Sequence, residues 1–279
     1  MNVPAVFSWL QRLRTWWVIL KISLEERLVY RGDFMLGTLM RFLPIITQIF
    51  LWNAVFQAAG KSTIVGYQFR DVVAYYLLTM VSRAFSSMPG LASGIALQIR
   101  SGEVKKFLVQ PVDMLTFLLA GRVAHKLAYY SVAVLPFALV FFVCRGYFNG
   151  VPPADVLVAY VLALVMGFLL GFFLESCIGL IGFWFLEVSS LLFVYMLLSF
   201  FLSGHMFPLD LLPHPWNRVV DFLPLKYVAY FPAAVFLGKV PRELLWRELA
   251  IEAAWIVVFI ILGRLMWRAG VKRYSGYGG

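Results

Sequence analysis

The chain has 279 residues, 62% of them hydrophobic and 14% charged, with a mean hydropathy of +0.84, whereas a soluble chain carries about 25% charged residues. Too few charged side chains are present to cover a soluble domain of this size, so lipid must cover most of the surface and an integral membrane protein is expected. The net charge of +10 does not point to nucleic acid, because no basic run with interleaved aromatics stands clear of the apolar segments; a basic excess on the inner side of a membrane explains it.

Taken in chain order, the first thirty residues place Val6, Trp9, Leu10, Leu13, Trp16, Trp17, Leu20, Leu24 and Leu28 at three- and four-residue spacing, with Arg12, Lys21, Glu25 and Glu26 mostly between them. This pattern predicts an amphipathic helix lying in the inner interface with its tryptophans at headgroup depth, or a helix that binds a partner. Residues 1–31 lack an uninterrupted apolar core and a small-residue cleavage site, so no cleavable signal is expected.

About 20 apolar residues cross a bilayer as a helix, and that length picks out six segments: 34–56, 72–92, 127–144, 156–174, 188–207 and 250–266. With the N-terminus inside, the inner flanks receive Arg12, Arg14, Lys21, Arg27 and Arg31, then Arg100, Lys105, Lys106, Arg122 and Lys126, and finally Arg264, Arg268, Lys272 and Arg273. The two short outer loops hold only Lys61, Arg70 and Arg145. Both termini are therefore expected to be cytoplasmic; the five basic residues of the long last outer segment weigh less in the rule. Cys144 and Cys177 fall near opposite ends of consecutive spans, roughly 30 Å apart in depth, so no disulfide between them is expected.

Between the second and third spans lies "IRSGEVKKFLVQPVDM", 99–114, the most polar inner stretch. Val104, Phe107 and Leu108 are expected on one side with Lys105 and Lys106 beside them, and Pro111 to end the segment. It is either a handle for a soluble partner or a solvated connection. After the fifth span, "FFLSGHMFPLDLLPHPW" packs two histidines, an aspartate and three prolines into the outer side. The apolar piece that follows, 224–238, is too short to cross and suits a re-entrant segment. Pro241 then stands where a helix would begin, and that helix would project about two turns above the bilayer before crossing.

No Gly-x4-Gly-Lys-Ser/Thr loop occurs, so any energy from ATP must come through another subunit. His125, His205 and His214 have no metal-ligand spacing, and Pro208 between His205 and Asp210 does not fix that pair on one face. No metal, cofactor or catalytic residue is expected; the prolines read as helix terminators, with Asp210 available as a cap. Charges inside spans are costly and face protein or water. Arg83 is expected roughly 18 Å below the outer end of the second span, with no acidic residue at its depth, so it either faces an aqueous path or pairs across an interface or with backbone carbonyls. Glu252 is expected at an outer end. Gly167 and Gly171 allow close helix approach within or between chains.

The order of these features resembles the membrane subunit of an ABC-2 type ABC transporter, in particular its six-helix permease subgroup. "VYRGDFMLG" (29–37), "SGEVKKFLVQPVD" (101–113), "FLSGHMFPLDLLP" (201–213) and the tail "VKRYSGYGG" (271–279) look like the family's recurrent stretches. The resemblance implies an all-α integral membrane protein with six transmembrane helices, an N-terminal amphipathic connecting helix over 1–31 and a transmembrane domain over 32–279. Within that domain it implies a coupling segment at 99–114 and an outer re-entrant region at 208–240. It further implies a non-catalytic permease of the inner or plasma membrane that pairs with a second permease, as homodimer or heterodimer, and docks cytoplasmic ABC ATPase subunits, usually for export. Gly102, Glu103, Lys105, Lys106, Phe107, Leu108 and Pro111 would then be gripped by an ATPase, and Trp16 and Trp17 would belong to the connecting helix. Ser203, Gly204, Pro208, Asp210 and Pro213 would shape an outer gate, with Arg83 as a translocation-path residue. An intramembrane enzyme would need convergent titratable groups at one depth, and a membrane scaffold or assembly factor would not need an ATPase; both are alternatives.

Overall fold

The computed structural model describes residues 9–28, 31–110, 112–185 and 187–274. In chain order its helices are α1 (Trp9–Leu28), α2 (Arg31–Ala59), α3 (Phe69–Ser86), α4 (Leu91–Arg100), α5 (Lys105–Val109), α6 (Met114–Val143), α7 (Ala154–Leu180), α8 (Ser189–Leu202), α9 (Trp216–Phe222), α10 (Tyr230–Phe236) and α11 (Arg242–Arg273). A hairpin of β1 (Thr63–Ile64) and β2 (Tyr67–Gln68) joins α2 to α3, and short 3-10 turns cover Leu209–Leu211 and Pro224–Val228.

Among the described residues, four helical stretches are long and apolar enough to cross a membrane: Leu36–Ala59, Met114–Val143, Ala154–Phe183 and Arg242–Arg273. Two of the six expected spans take another form. The stretch 72–92 is not one helix, because Pro89 cannot continue it and Gly90 turns the chain at φ +71°, separating α3 from α4. The stretch 188–207 contains only the 14 residues of α8, roughly 21 Å of helix against about 30 Å of hydrocarbon. The third expected span begins thirteen residues early, at Met114, since Arg122 and Lys126 are carried inside α6 rather than ahead of it. Pro241 caps α11, one residue from the expected start.

The chain forms two compact units, Met1–Phe42 with Phe107–Phe142, and Leu43–Lys106 with Val143–Gly279. In the first, Thr38 of α2 is fully buried and its hydroxyl donates to Tyr129 Oη of α6 at 3.2 Å, while Phe42 meets Phe137 edge-on. Asp113 caps α6, accepting from the Thr116 N–H at 2.8 Å.

The second unit is built on α7, which packs against α3, α4, α10 and α11. Ala159, Ala163, Gly167 and Gly171 recur every four residues and form a narrow ridge on which neighbours can lie close. A Cβ on Gly171 would stand 2.3 Å from the Ser86 carbonyl oxygen, and one on Gly167 would stand 3.2 Å from that of Tyr227. The glycine pair thus packs within the chain. Gly171→Ala should cost about 1–3 kcal/mol by overpacking and lower the thermal midpoint of the purified protein; an unchanged midpoint would contradict this contact. Glu252 is the eleventh residue of α11, fully buried, with both carboxylate oxygens unbonded among the described residues and Gly167 beside it.

The hairpin turns through Val65 at φ +47° and Gly66 at φ +77°, the pair of positive angles that a type I′ turn needs. Valine is ill-suited there, so Val65→Asn should raise stability by about 1 kcal/mol, measured as a higher midpoint.

Candidate functional site

The segment 101–113 starts where α4 ends. Gly102 adopts φ +80° and the Val104 N–H closes back on the Gln98 carbonyl at 3.1 Å, burying Val104 completely. This turn releases the chain into the five residues of α5. Phe107 is buried, its ring 5.6 Å from that of Phe117, so it does not share an outward face with Leu108 as the sequence pattern predicts. Leu108 and especially Val109 are the apolar side chains presented outward, at 44% and 85% exposure. Lys105 is exposed, and Lys106 pairs with Glu103 at 3.5 Å. Pro111 lies outside the described residues. Val109 was missed because an apolar residue next to Leu108 carries no polar signal; the helical offset from Phe107 is the clue.

Arg100, at the end of α4, meets Glu187 at 3.4 Å. Hydrogen bonds from Ser189, chiefly from its hydroxyl, hold the Glu187 carboxyl below the usual glutamate range, with Arg100 adding to the effect. In α1, Trp16 is half-buried and Trp17 is 66% exposed; Val18 and Ile22 are exposed alongside Lys21 and Glu25, so apolar side chains occur around the helix instead of along one stripe.

The turn 203–213 is held by tyrosines. Gly204, at φ +80°, lies so close to α3 that its carbonyl accepts from the Tyr75 hydroxyl at 2.5 Å, and the next residue of α3, Tyr76, donates its hydroxyl to the Met206 carbonyl at 2.5 Å. Trp52 of α2 donates to Tyr76 Oη at 2.8 Å. Asp210 is not a helix cap: its two carboxylate oxygens accept from Tyr67 at 2.5 Å and Tyr230 at 2.7 Å. The Asp210 carboxylate therefore joins the hairpin, this turn and the start of α10. Burial first, and the Asp210 charge second, push the Tyr67 phenol well above its ordinary value, which keeps it a donor. Lys239 completes the assembly, 3.1 Å from Asp71, donating to the Gly66 carbonyl at 2.8 Å and lying over the Tyr67 ring. Ser203 and Pro208 are buried within this turn, and Pro213 is exposed.

One turn along, Lys226 is buried, with Glu248 of α11 at 2.9 Å and Asp221 at 3.6 Å, while the Tyr227 hydroxyl donates to the same Glu248 oxygen at 2.8 Å. These residues tie the short segment Pro224–Val228 to α11.

Arg83 is half-buried in α3. Arg83 and Glu175 both act electrostatically on Tyr195, Arg83 also acts on His205, and neither charge stands alone. Cys144 and Cys177 are free thiols. Among the described residues no group of three or more His, Cys, Asp or Glu could hold a metal ion.

Residues 42–278 match the profile of a family described as ABC-2 family transporter protein. The match takes in the segment 101–113 and the turn 203–213 and begins after α1. No curated protein matches the chain.

Proposed function

The chain belongs to the ABC-2 transporter family, and on that premise we propose that it is the membrane-spanning permease subunit of an ABC transporter, exporting substrate across the cytoplasmic membrane with ATP hydrolysed on separate cytoplasmic subunits. The observation that carries this reading is the family match over 42–278. Two features support it: no phosphate loop is present in the sequence, and an outward apolar pair, Leu108 and Val109, stands beside Lys105 on a short helix. A protein that uses ATP without binding it must touch the subunit that does, and Gly102 to Asp113 is where that contact is placed. Gly102 and Phe107 shape the segment; Glu103, Lys105, Lys106, Leu108 and Val109 meet the partner.

In this reading α3 and α8 complete six crossings, α1 is the connecting helix that carries Trp16 and Trp17, and a second permease copy or homologue completes the pathway. Because α8 is short, the turn 203–214 lies within the outer part of the bilayer, packed on α3 and closed by α10. Ser203, Gly204, Pro208, Asp210 and Pro213 then form an outer gate held by tyrosine hydroxyls, and Arg83 lies on the path beneath it.

The basic residues of the flanks support cytoplasmic termini. A cysteine in place of Lys61 should react with an impermeant maleimide on intact cells, and one in place of Lys105 should react only after permeabilisation. Labelling of position 105 on intact cells would reverse the orientation. The functional reading itself is tested by purifying the tagged chain from its own membrane. A phosphate-loop ATPase should accompany it in equal number, and its hydrolysis should respond to substrate. A chain that purifies intact and alone would favour the scaffold.

A further inference from the structure

A cavity of about 670 Å³ lies between α9, the segment Pro224–Val228 and the first four turns of α11. Its charges do not balance. Lys226 is shared by Asp221 and Glu248, which accounts for the carboxylates of the lining, and Lys239 is held by Asp71. Arg218 and Arg247 remain, both exposed, both lining the cavity, and neither with an ion-pair partner among the described residues. An arginine fork without a carboxylate is the side chain best matched to a phosphate group.

The cavity also changes character along its length. Arg247, Ile251 and Trp255 lie on one face of α11 at four-residue spacing, so the guanidinium end and the indole are separated by eight residues, roughly 12 Å of rise. At the lower end Trp255 stacks on Phe259, with ring centres 6.0 Å apart, and meets Phe222 edge-on at 6.3 Å. Phe222 is 77% exposed. A soluble anion would use the arginines and have no need of this wall.

We propose that the cavity bounded by Arg218, Arg247, Phe222 and Trp255 is a binding site for an anionic, phosphate-bearing lipid of the outer leaflet, its headgroup on the two guanidinium groups and its chain along Phe222 and Trp255. The site rests on the reading above that puts the start of α11 at the outer surface. Tyr230 and Lys239 line both this cavity and the adjoining one at Asp210, so a bound lipid would touch the gate.

The experiment uses the full-length protein in phosphatidylcholine vesicles carrying a fixed fraction of brominated phosphatidylglycerol or brominated phosphatidylcholine. Bromine quenches a tryptophan it touches, and the share due to Trp255 is the difference between the natural protein and Trp255→Phe. That share should be quenched more by the anionic lipid, with each arginine contributing about a fivefold preference. The preference should fall about fivefold in Arg218→Gln and in Arg247→Gln, vanish when both are replaced, and survive Arg218→Lys with Arg247→Lys in part. Equal quenching by the two lipids, or a preference retained by the double glutamine variant, overturns the site. Millimolar glycerol 3-phosphate should leave the quenching unchanged; if it abolishes the preference, the occupant is a soluble phosphate ester and the lipid is wrong. A preparation that still carries its ATPase but shows no lipid preference overturns this site alone and leaves the permease reading standing.

Discussion

Gly204→Val should leave almost no monodisperse protein in the membrane extract. At φ +80° a β-branched side chain is strained whatever surrounds it, and here the surroundings are full: a Cβ would stand 2.6 Å from Tyr230 Cβ, 2.7 Å from Tyr75 Oη and 3.3 Å from Leu209 Cγ. Tyr75 cannot retreat without giving up its hydrogen bond to the Gly204 carbonyl, and Tyr230 is anchored by its own N–H on the Ser203 carbonyl at 2.9 Å. Strain of about 1–3 kcal/mol adds to overpacking of a similar size, a large fraction of the roughly 5–15 kcal/mol by which a fold is stable. Gly204→Ala should show the same defect in milder form. Fluorescence-detected size exclusion checks both, and a wild-type profile for the valine variant would mean that the turn 203–213 is not packed on Tyr75 and Tyr230.

The second large effect is expected at Lys226, where single and double substitutions should behave oppositely. Its ammonium is buried against Glu248 at 2.9 Å, and both side chains are largely shielded, at 9% and 21% exposure. Lys226→Met leaves Glu248 with only the Tyr227 hydroxyl, and removing one partner of a buried pair costs about 3–5 kcal/mol. The lower end applies here, since Glu248 keeps some access to water. Lys226→Met combined with Glu248→Leu removes both charges and should recover most of the loss. The thermal midpoints of the four proteins form the cycle. A double variant as unstable as the single one would show that Lys226 acts through something other than Glu248, with Asp221 at 3.6 Å the remaining candidate.

The elements that depend on local composition were legible in the sequence. Apolar length located the helices that became α2, α6, α7 and α11; Pro241 marked the start of α11, and the proline-rich 208–224 stretch was correctly excluded from any long helix. Where the reading failed, the deciding partner is distant or the local signal is misleading. The apolar count carried 72–92 across Pro89 and Gly90, although that dipeptide breaks a helix. The hairpin went unseen because Val65 occupies a position where asparagine or glycine would announce it. Asp210 could not be read as a tyrosine acceptor, since Tyr67 lies 143 residues away. Phe107 pairs with Phe117 only because α6 begins at Met114, well ahead of the apolar run that suggested it.

The central claim is that this chain uses ATP through contact at 101–113, and Leu108 and Val109 provide the most direct test. Both are apolar and face outward, so replacing them does not empty the space beneath, as Phe107→Ala would. Burying their exposed surface in an ATPase groove contributes about 2 kcal/mol together, roughly thirtyfold in affinity, and an aspartate at either position adds an unpaired charge to the buried contact. The measurement is the amount of phosphate-loop ATPase copurifying with tagged Leu108→Asp/Val109→Asp protein, normalised to membrane-inserted chain. The account predicts that the permease is inserted at normal yield and that its ATPase is lost. Full retention of the ATPase, at wild-type stoichiometry and with wild-type substrate stimulation, would contradict it.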